Sequence, residues 1–177
     1  GGTRFYERKE IKDVLAYLRL LVNPADDISL LRVINAPKRG VGDTTIEKIA
    51  LFARQTHTDL LQAALHADEV PGLGARAVKA VATFGALMTG LALEIGEARL
   101  GLAELAQEVL ERSGYLEALR ELDTPEADGR IRNLSELVNS MSEFASRYDG
   151  EDIGLSRFLE DVALMSSEDE AMAGATG

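Results

Sequence analysis

Apolar side chains recur along most of this chain at intervals of three and four, the period of a helix with one face turned to a core. Ile11, Val14, Leu15, Leu18, Leu21 and Val22 form the first stripe and predict a helix over 7–22, ended by Asn23-Pro24. Residues 1–5 read as an extended lead-in or the end of a strand. Asp26 or Asp27 caps a second helix carrying Leu30, Leu31, Val33 and Ile34, which Pro37 limits by disfavouring the α conformation at Ala36. Ile46, Ile49, Ala50 and Ala53 mark a third helix, with Asp43, Thr44 and Thr45 suited to its N-terminus. Thr58 or Asp59 starts a short helix with Leu60, Leu61 and Leu65. A long helix over about 74–95 is weakened at Gly85 and Gly90.

The second half continues the pattern. Leu102, Leu105, Ala106, Val109 and Leu110 give a clean stripe that Ser113-Gly114 ends. Residues 115–122 form a short helix and 123–129 a loop. Ile131, Leu134, Leu137, Val138, Met141 and Phe144 predict a long amphipathic helix. A polar loop over 148–154 leads to a last helix over 155–165, with Leu155, Phe158, Leu159 and Val162 inward. Residues 166–177 are small, acidic and glycine-containing, and read as disordered. The expected fold is all-α: eight or nine helices, compactly packed, with no βαβ alternation.

Between the second and third helices lies Lys38-Arg39-Gly40-Val41-Gly42, the pattern of a helix-hairpin-helix. Two glycines around one apolar residue let the backbone bend and approach a ligand closely. Val41 can pin the turn to the protein. The free N–H groups of the turn sit at the positive end of the next helix, an arrangement that holds phosphate. Lys38, Arg39 and Lys48 add charge and Thr45 a hydroxyl. Such a turn holds a DNA backbone without reading sequence. The plainer alternative is a tight connection between helices. A second copy follows: Gly72, Leu73, Gly74, Val78, Val81, Ala82 and Phe84 match Gly40, Val41, Gly42, Ile46, Ile49, Ala50 and Phe52 at one constant offset. Asp68 and Glu69 precede that turn, so it is expected to be mainly structural despite Arg76 and Lys79.

Charge changes the picture only through its distribution. The net charge of −11 argues against a polyanionic partner. Residues 1–54, however, hold ten lysines and arginines against seven aspartates and glutamates; residues 55–177 hold nine against 23. A locally basic patch on an acidic body can still bind phosphate. The chain has no cysteine, and its two histidines, His57 and His66, are too far apart to share a helical turn. No metal site, catalytic group or nucleophile–base pair stands out. No G-x-x-x-x-G-K-[ST] loop for ATP occurs, and the acidic pairs Asp26-Asp27 and Asp169-Glu170 read as caps or tail. No apolar run of about 18 residues is seen and no signal peptide is visible, which implies a cytoplasmic protein.

The run from Gly1-Gly2-Thr3-Arg4-Phe5-Tyr6-Glu7-Arg8-Lys9-Glu10-Ile11-Lys12-Asp13, then Ala16-Tyr17-Leu18-Arg19-Leu20, then Asn35-Ala36-Pro37-Lys38-Arg39-Gly40-Val41-Gly42, resembles bacterial UvrD/PcrA/Rep-type superfamily 1 DNA helicases. Glu108-Val109-Leu110, Ser113-Gly114-Tyr115, Arg130, Asn133-Leu134 and Phe158-Leu159 extend it over almost the whole chain. The resemblance implies the helical 2B subdomain, inserted in the second motor domain, 2A. It divides the chain into a 2A or hinge remnant (1–6), the 2B domain (7–166) and a flexible tail toward the hinge (167–177). It implies that Arg39, Gly40, Gly42 and Thr45 lie at a duplex backbone; Val41 stands where the family usually has isoleucine, and Arg132 where it usually has an acidic residue.

On that resemblance the parent is an ATP-dependent 3′-to-5′ helicase in repair or replication. ATP and Mg belong to motor domains outside this segment, and the segment itself needs no cofactor and is no enzyme. Expected partners are double-stranded DNA at a junction and the parent's motor domains, with a likeness to bacterial, nucleoid-associated proteins and a monomeric state. The competing function is a protein-interaction module whose acidic helical surface docks repair or transcription proteins. The expected DNA-binding residues are Lys38, Arg39, Gly40, Val41, Gly42, Thr45 and Lys48.

Overall fold

The helix over Lys9–Val22, α2, runs through the middle of the molecule, because its Val-Leu-Ala-Tyr-Leu run is apolar on nearly every side. Ile11, Val14, Leu15, Tyr17, Leu18 and Leu20 are all fully buried. The structure, a computed structural model, describes residues 3–97 and 99–176, with side chains for 4–97 and 99–165. Among the described residues there are ten α-helices, one 3-10 turn and no strand. Around α2 are α1 (Thr3–Tyr6), α3 (Asp27–Val33), α6 (Ala75–Gly96), α7 (Leu102–Arg112), α9 (Pro125–Arg147) and α10 (Leu155–Thr176). A second layer, α4 (Asp43–Thr56) and α5 (Leu60–Leu65), packs between α3 and α6. The short α8 (Tyr115–Leu122) closes against α7 and α9. All share one apolar core.

Caps fix the helix starts as the polar residues require. Asp26 accepts from Ser29 N at 3.0 Å, Asp59 from Gln62 N at 2.8 Å, and Thr124 from Ala127 N at 3.1 Å. Asp27 does not cap its own helix; its carboxylate accepts from Leu60 N at 3.0 Å and joins α3 to α5.

Several expectations are corrected. From Thr3 the lead-in is helical: α1 covers Thr3–Tyr6 and buries Phe5, which stacks edge-on with Tyr6, while residues 1 and 2 lie outside the described residues. Residues 125–129 are not a loop but the start of α9. Thr124 caps, Pro125 takes the first position and Glu126 and Asp128 fill the first turn, a strong helix-start pattern that Pro and Gly129 masked in the sequence. Leu31 is exposed, and the buried face of α3 is Leu30 and Val33. α6 is unbroken through Gly85 and Gly90, because both are points of close approach. A Cβ at Gly85 would meet Leu65 Cδ2 at 2.9 Å, and one at Gly90 would meet Arg112 Nη2 at 2.5 Å. α10 is assigned to Thr176, past the end expected at Met165; the disordered tail expected over 166–177 lies outside the residues described in full.

α6 also qualifies the reading that nothing here could span a membrane. By length and composition it is long and apolar enough, at 22 residues and mean hydropathy 1.5. It carries Val81, Phe84, Met88 and Leu91 into the core against α5 and α7, as a core helix does.

Candidate nucleic-acid interface

The turn over 38–42 joins α3 to α4, and its shape is held from below. Gly40 has φ +82°, the left-handed region that disfavours any Cβ. Val41 is 1% exposed and belongs to the core. Gly42 is the N-cap residue of α4, with extended backbone and no side-chain cap. A Cβ built on Gly40 or Gly42 meets nothing within 4 Å, so the outer side of the turn is open. The first N–H groups of α4 have no partner inside the helix and no side-chain cap. Asp43, exposed in the same first turn, offsets part of the positive end.

Asn35 shapes the turn through its side-chain oxygen, which accepts from Arg39 N at 2.7 Å and Val41 N at 3.3 Å. This is the local competition for backbone donors that favours Asn at turns.

Arg39 is where the structure departs most from the sequence reading. Its guanidinium turns inward. It donates to Val33 O at 2.6 Å and Ile34 O at 2.7 Å, the last carbonyls of α3, where a cation is favoured by the helix dipole. It also donates to the Tyr17 hydroxyl at 2.7 Å and Ser113 O at 3.3 Å, and lies 5.2 Å from the centre of the Phe84 ring. Tyr17 in turn donates to Ala36 O. Burial raises the Tyr17 phenol above its ordinary value, against the opposing pull of Arg39. Arg39 thus fixes the turn rather than extending from it.

The other expected residues are distributed around this base. Lys38 is exposed and has no carboxylate within ion-pair distance among the described residues. Thr45 is half-buried in the first turn of α4. Lys48 reaches away from the first turn and donates to Gly72 O at 2.8 Å, its stem lying 3.5 Å from where a Gly72 Cβ would be.

The second turn repeats the backbone of the first. Gly72 has φ +83° and Gly74 is the extended N-cap of α6. Its apolar residue, Leu73, is only half-buried, and an exposed Asp68 and Glu69 precede it on the 3-10 turn Ala67–Glu69. Arg76 and Lys79 are exposed. The repeated spacing therefore identified two like turns, but it did not reveal the support beneath them. Tyr17, Ser113 and Phe84 were missed because they come from 22 to 74 positions away; Asn35, a turn residue four before Arg39, carried the one available local signal. Among the described residues no group of histidine, aspartate and glutamate is arranged to hold a metal.

The family described as "UvrD-like helicase C-terminal domain" matches residues 1–175. The chain is 41% identical, over 96% of its length, to "ATP-dependent DNA helicase PcrA" of Bacillus subtilis (strain 168), covering 22% of that protein. It is 40% identical, over 96% of its length, to "ATP-dependent DNA helicase UvrD1" of Mycobacterium leprae, covering 24% of it. A Staphylococcus aureus PcrA is 39% identical over 97% of the chain and 23% of its own length. The chain thus spans less than a quarter of these relatives. With an all-helical fold and a match over nearly its full length, the chain belongs to the UvrD-like helicase C-terminal domain family.

Proposed function

We propose that this chain is the 2B subdomain of an ATP-dependent 3′-to-5′ DNA helicase and that its first glycine turn holds the backbone of duplex DNA. The observation that carries the reading is the turn itself: Gly40 and Gly42 open to solvent, Val41 locked in the core, and the uncapped N-terminus of α4 behind them. A phosphate approaching that side meets N–H donors, Lys38 and the Thr45 side, with no Cβ in the way. Arg39 contributes by fixing the turn's shape, and Lys48 by tying α4 to the second turn. On this reading ATP and Mg bind in motor domains elsewhere in the parent, the segment itself hydrolyses nothing, and its swivelling on the motor regulates unwinding at a duplex junction. The names of the relatives support the helicase part of the proposal.

The test compares Gly42→Ala with Gly74→Ala by fluorescence anisotropy on a mixed-sequence hairpin duplex at low salt. Both positions are open-sided N-caps with negative φ, so both variants keep the fold at a cost of about 1 kcal/mol. Gly42→Ala is expected to weaken duplex binding and Gly74→Ala to leave it nearly unchanged. Equal effects, or strong preference among duplex sequences, would overturn the proposal.

A further inference from the structure

A recess of about 560 Å³ lies between the start of α2 and the second turn of α9. Three arginines converge on it: Arg8 from the residue before α2, and Arg130 and Arg132 from α9. None of the three has a carboxylate within ion-pair distance among the described residues. For the α9 pair this is telling. Glu126 and Asp128 stand one turn earlier at the i−4 positions, the spacing at which such pairs form on a helix. The Arg132 guanidinium instead lies over Gly129, 3.6 Å from where a Cβ would be.

The floor behind the arginines is a fixed polar network. Buried Asp13 accepts from Lys9 at 2.8 Å, Arg32 at 2.9 Å and the Tyr115 hydroxyl at 2.6 Å. Buried Glu10 accepts from Asn133 Nδ2 at 2.9 Å and so fastens α2 to α9. With Lys9 engaged at Asp13, the recess presents three guanidinium groups without an ion-pair partner against two lining carboxylates, exposed Glu126 and the buried Glu10 held by Asn133. No apolar side chain lines it. Protein interfaces are anchored by buried Trp, Tyr and Arg side chains packed in desolvated pockets, and the recess offers no aromatic or apolar partner for such packing. A nucleic-acid backbone needs none, since arginine, lysine and amide side chains are among the groups that hold it. Guanidinium forks also match phosphate oxygens two at a time.

We propose that this recess is a second phosphate-binding site, separate from the glycine turns, which takes the sugar-phosphate backbone of the same bound DNA. It rests on the duplex-binding reading above. A short stretch of chain links the two sites: Ser113 accepts from Arg39 beneath the turn, and Tyr115, two residues on, donates to Asp13 behind the recess.

The experiment measures binding of the 177-residue chain to a mixed-sequence hairpin duplex, and to a single strand of the same composition, across a salt series. Variants are Arg130→Gln with Arg132→Gln, Arg8→Gln from the other wall, and Lys38→Ala at the turn. Thermal melts confirm that each is folded. The double variant is expected to make the log–log salt slope shallower by roughly one to two units, and Arg8→Gln by roughly one, since each neutralised phosphate contributes about 0.9. The Nε–Hε signals of Arg130 and Arg132 are expected to shift on titration with duplex. Unchanged slopes in the recess variants, with Lys38→Ala still weakening binding, overturn this site and leave the turn standing. No duplex binding by the unaltered chain overturns both. Loss of poly-glutamate binding in the recess variants, with their duplex binding unchanged, assigns the recess to an acidic protein segment instead and overturns the proposal.

Discussion

The two glycine turns have almost the same backbone and very different foundations. Gly40 and Gly72 differ by one degree in φ, and Gly42 and Gly74 both cap a helix with extended backbone. Beneath the first turn lie a fully buried Val41, an Asn35 oxygen bridging two N–H groups, and a guanidinium bonded to three carbonyls and a phenol. Beneath the second lie a half-buried Leu73 and one ammonium-to-carbonyl bond from Lys48. A turn that must present N–H groups to a ligand in one geometry needs its supporting groups locked. A turn that only reverses the chain does not. The difference supports the proposed ligand-binding role of the first turn, and a connecting role for the second, more than their flanking charges do.

The sharpest way to break this contrast is Arg39→Ala against Arg76→Ala. Arg39→Ala leaves the last carbonyls of α3 without their charged donor and is expected to cost roughly 2–4 kcal/mol and to abolish duplex binding. Arg76 is exposed, and its loss should stay within about 0.5 kcal/mol. Urea unfolding and anisotropy on one preparation check both. A stable Arg39→Ala variant that loses only one unit of salt slope would make Arg39 a phosphate ligand after all.

Next in size is Gly40→Ala against Gly72→Ala. Neither meets a steric block, so each should cost about 1–2 kcal/mol for the left-handed backbone alone. Only Gly40→Ala is expected to weaken duplex binding. If Gly72→Ala weakens it as much, the second turn is part of the interface.

High pH sharpens the contrast from another side, because Tyr17 bonds both Arg39 and Ala36. Burial raises the phenols of Tyr17 and Tyr115, the latter also through its bond to Asp13. A phenol raised in the folded state contributes stability that is complete below its unfolded value near 10 and is lost as pH rises toward the folded value. Melting temperature should therefore be flat from pH 7 to about 9.5 and fall above 10. Tyr17→Phe should start about 1 kcal/mol less stable and fall less steeply. A decline beginning below pH 9 would implicate other groups.

The smallest effect is Lys38→Ala. The side chain is exposed, so stability should not move beyond about 0.5 kcal/mol, while the salt slope should become shallower by about 0.9.

What could be read from the sequence follows from the range of each interaction. The α7 stripe of Leu102, Leu105, Ala106, Val109 and Leu110 is fully buried as its spacing predicts, and α8 has the expected ends. Asp26 and Asp59 cap as their positions suggest. These are features of one helix and its first turn. The helix start at Thr124-Pro125 is equally local, yet a Thr-Pro pair followed by Gly129 fits a loop as well as a helix N-terminus, where proline is a favoured first residue. The direction of Arg39 was not legible. An arginine beside a glycine turn in a basic stretch reads as a ligand contact, and only the positions of Tyr17, Phe84 and Ser113 in space turn it inward. The recess between α2 and α9 was hidden for the same reason, since Arg8 and Arg130 meet only when the fold closes.

The bond from Arg39 to Ser113 joins positions 74 apart in the chain, and that from Asp13 to Tyr115 joins positions 102 apart. Closing such loops carries an entropic cost that must be met before the contacts repay it. The support of the first turn is therefore complete only when the segment after α7 has docked beside α2 and α3. A peptide covering α3, the turn and α4 holds every residue of the first turn expected to face DNA and none of Tyr17, Phe84 or Ser113. Transplanted onto another protein, it would carry the motif without its geometry.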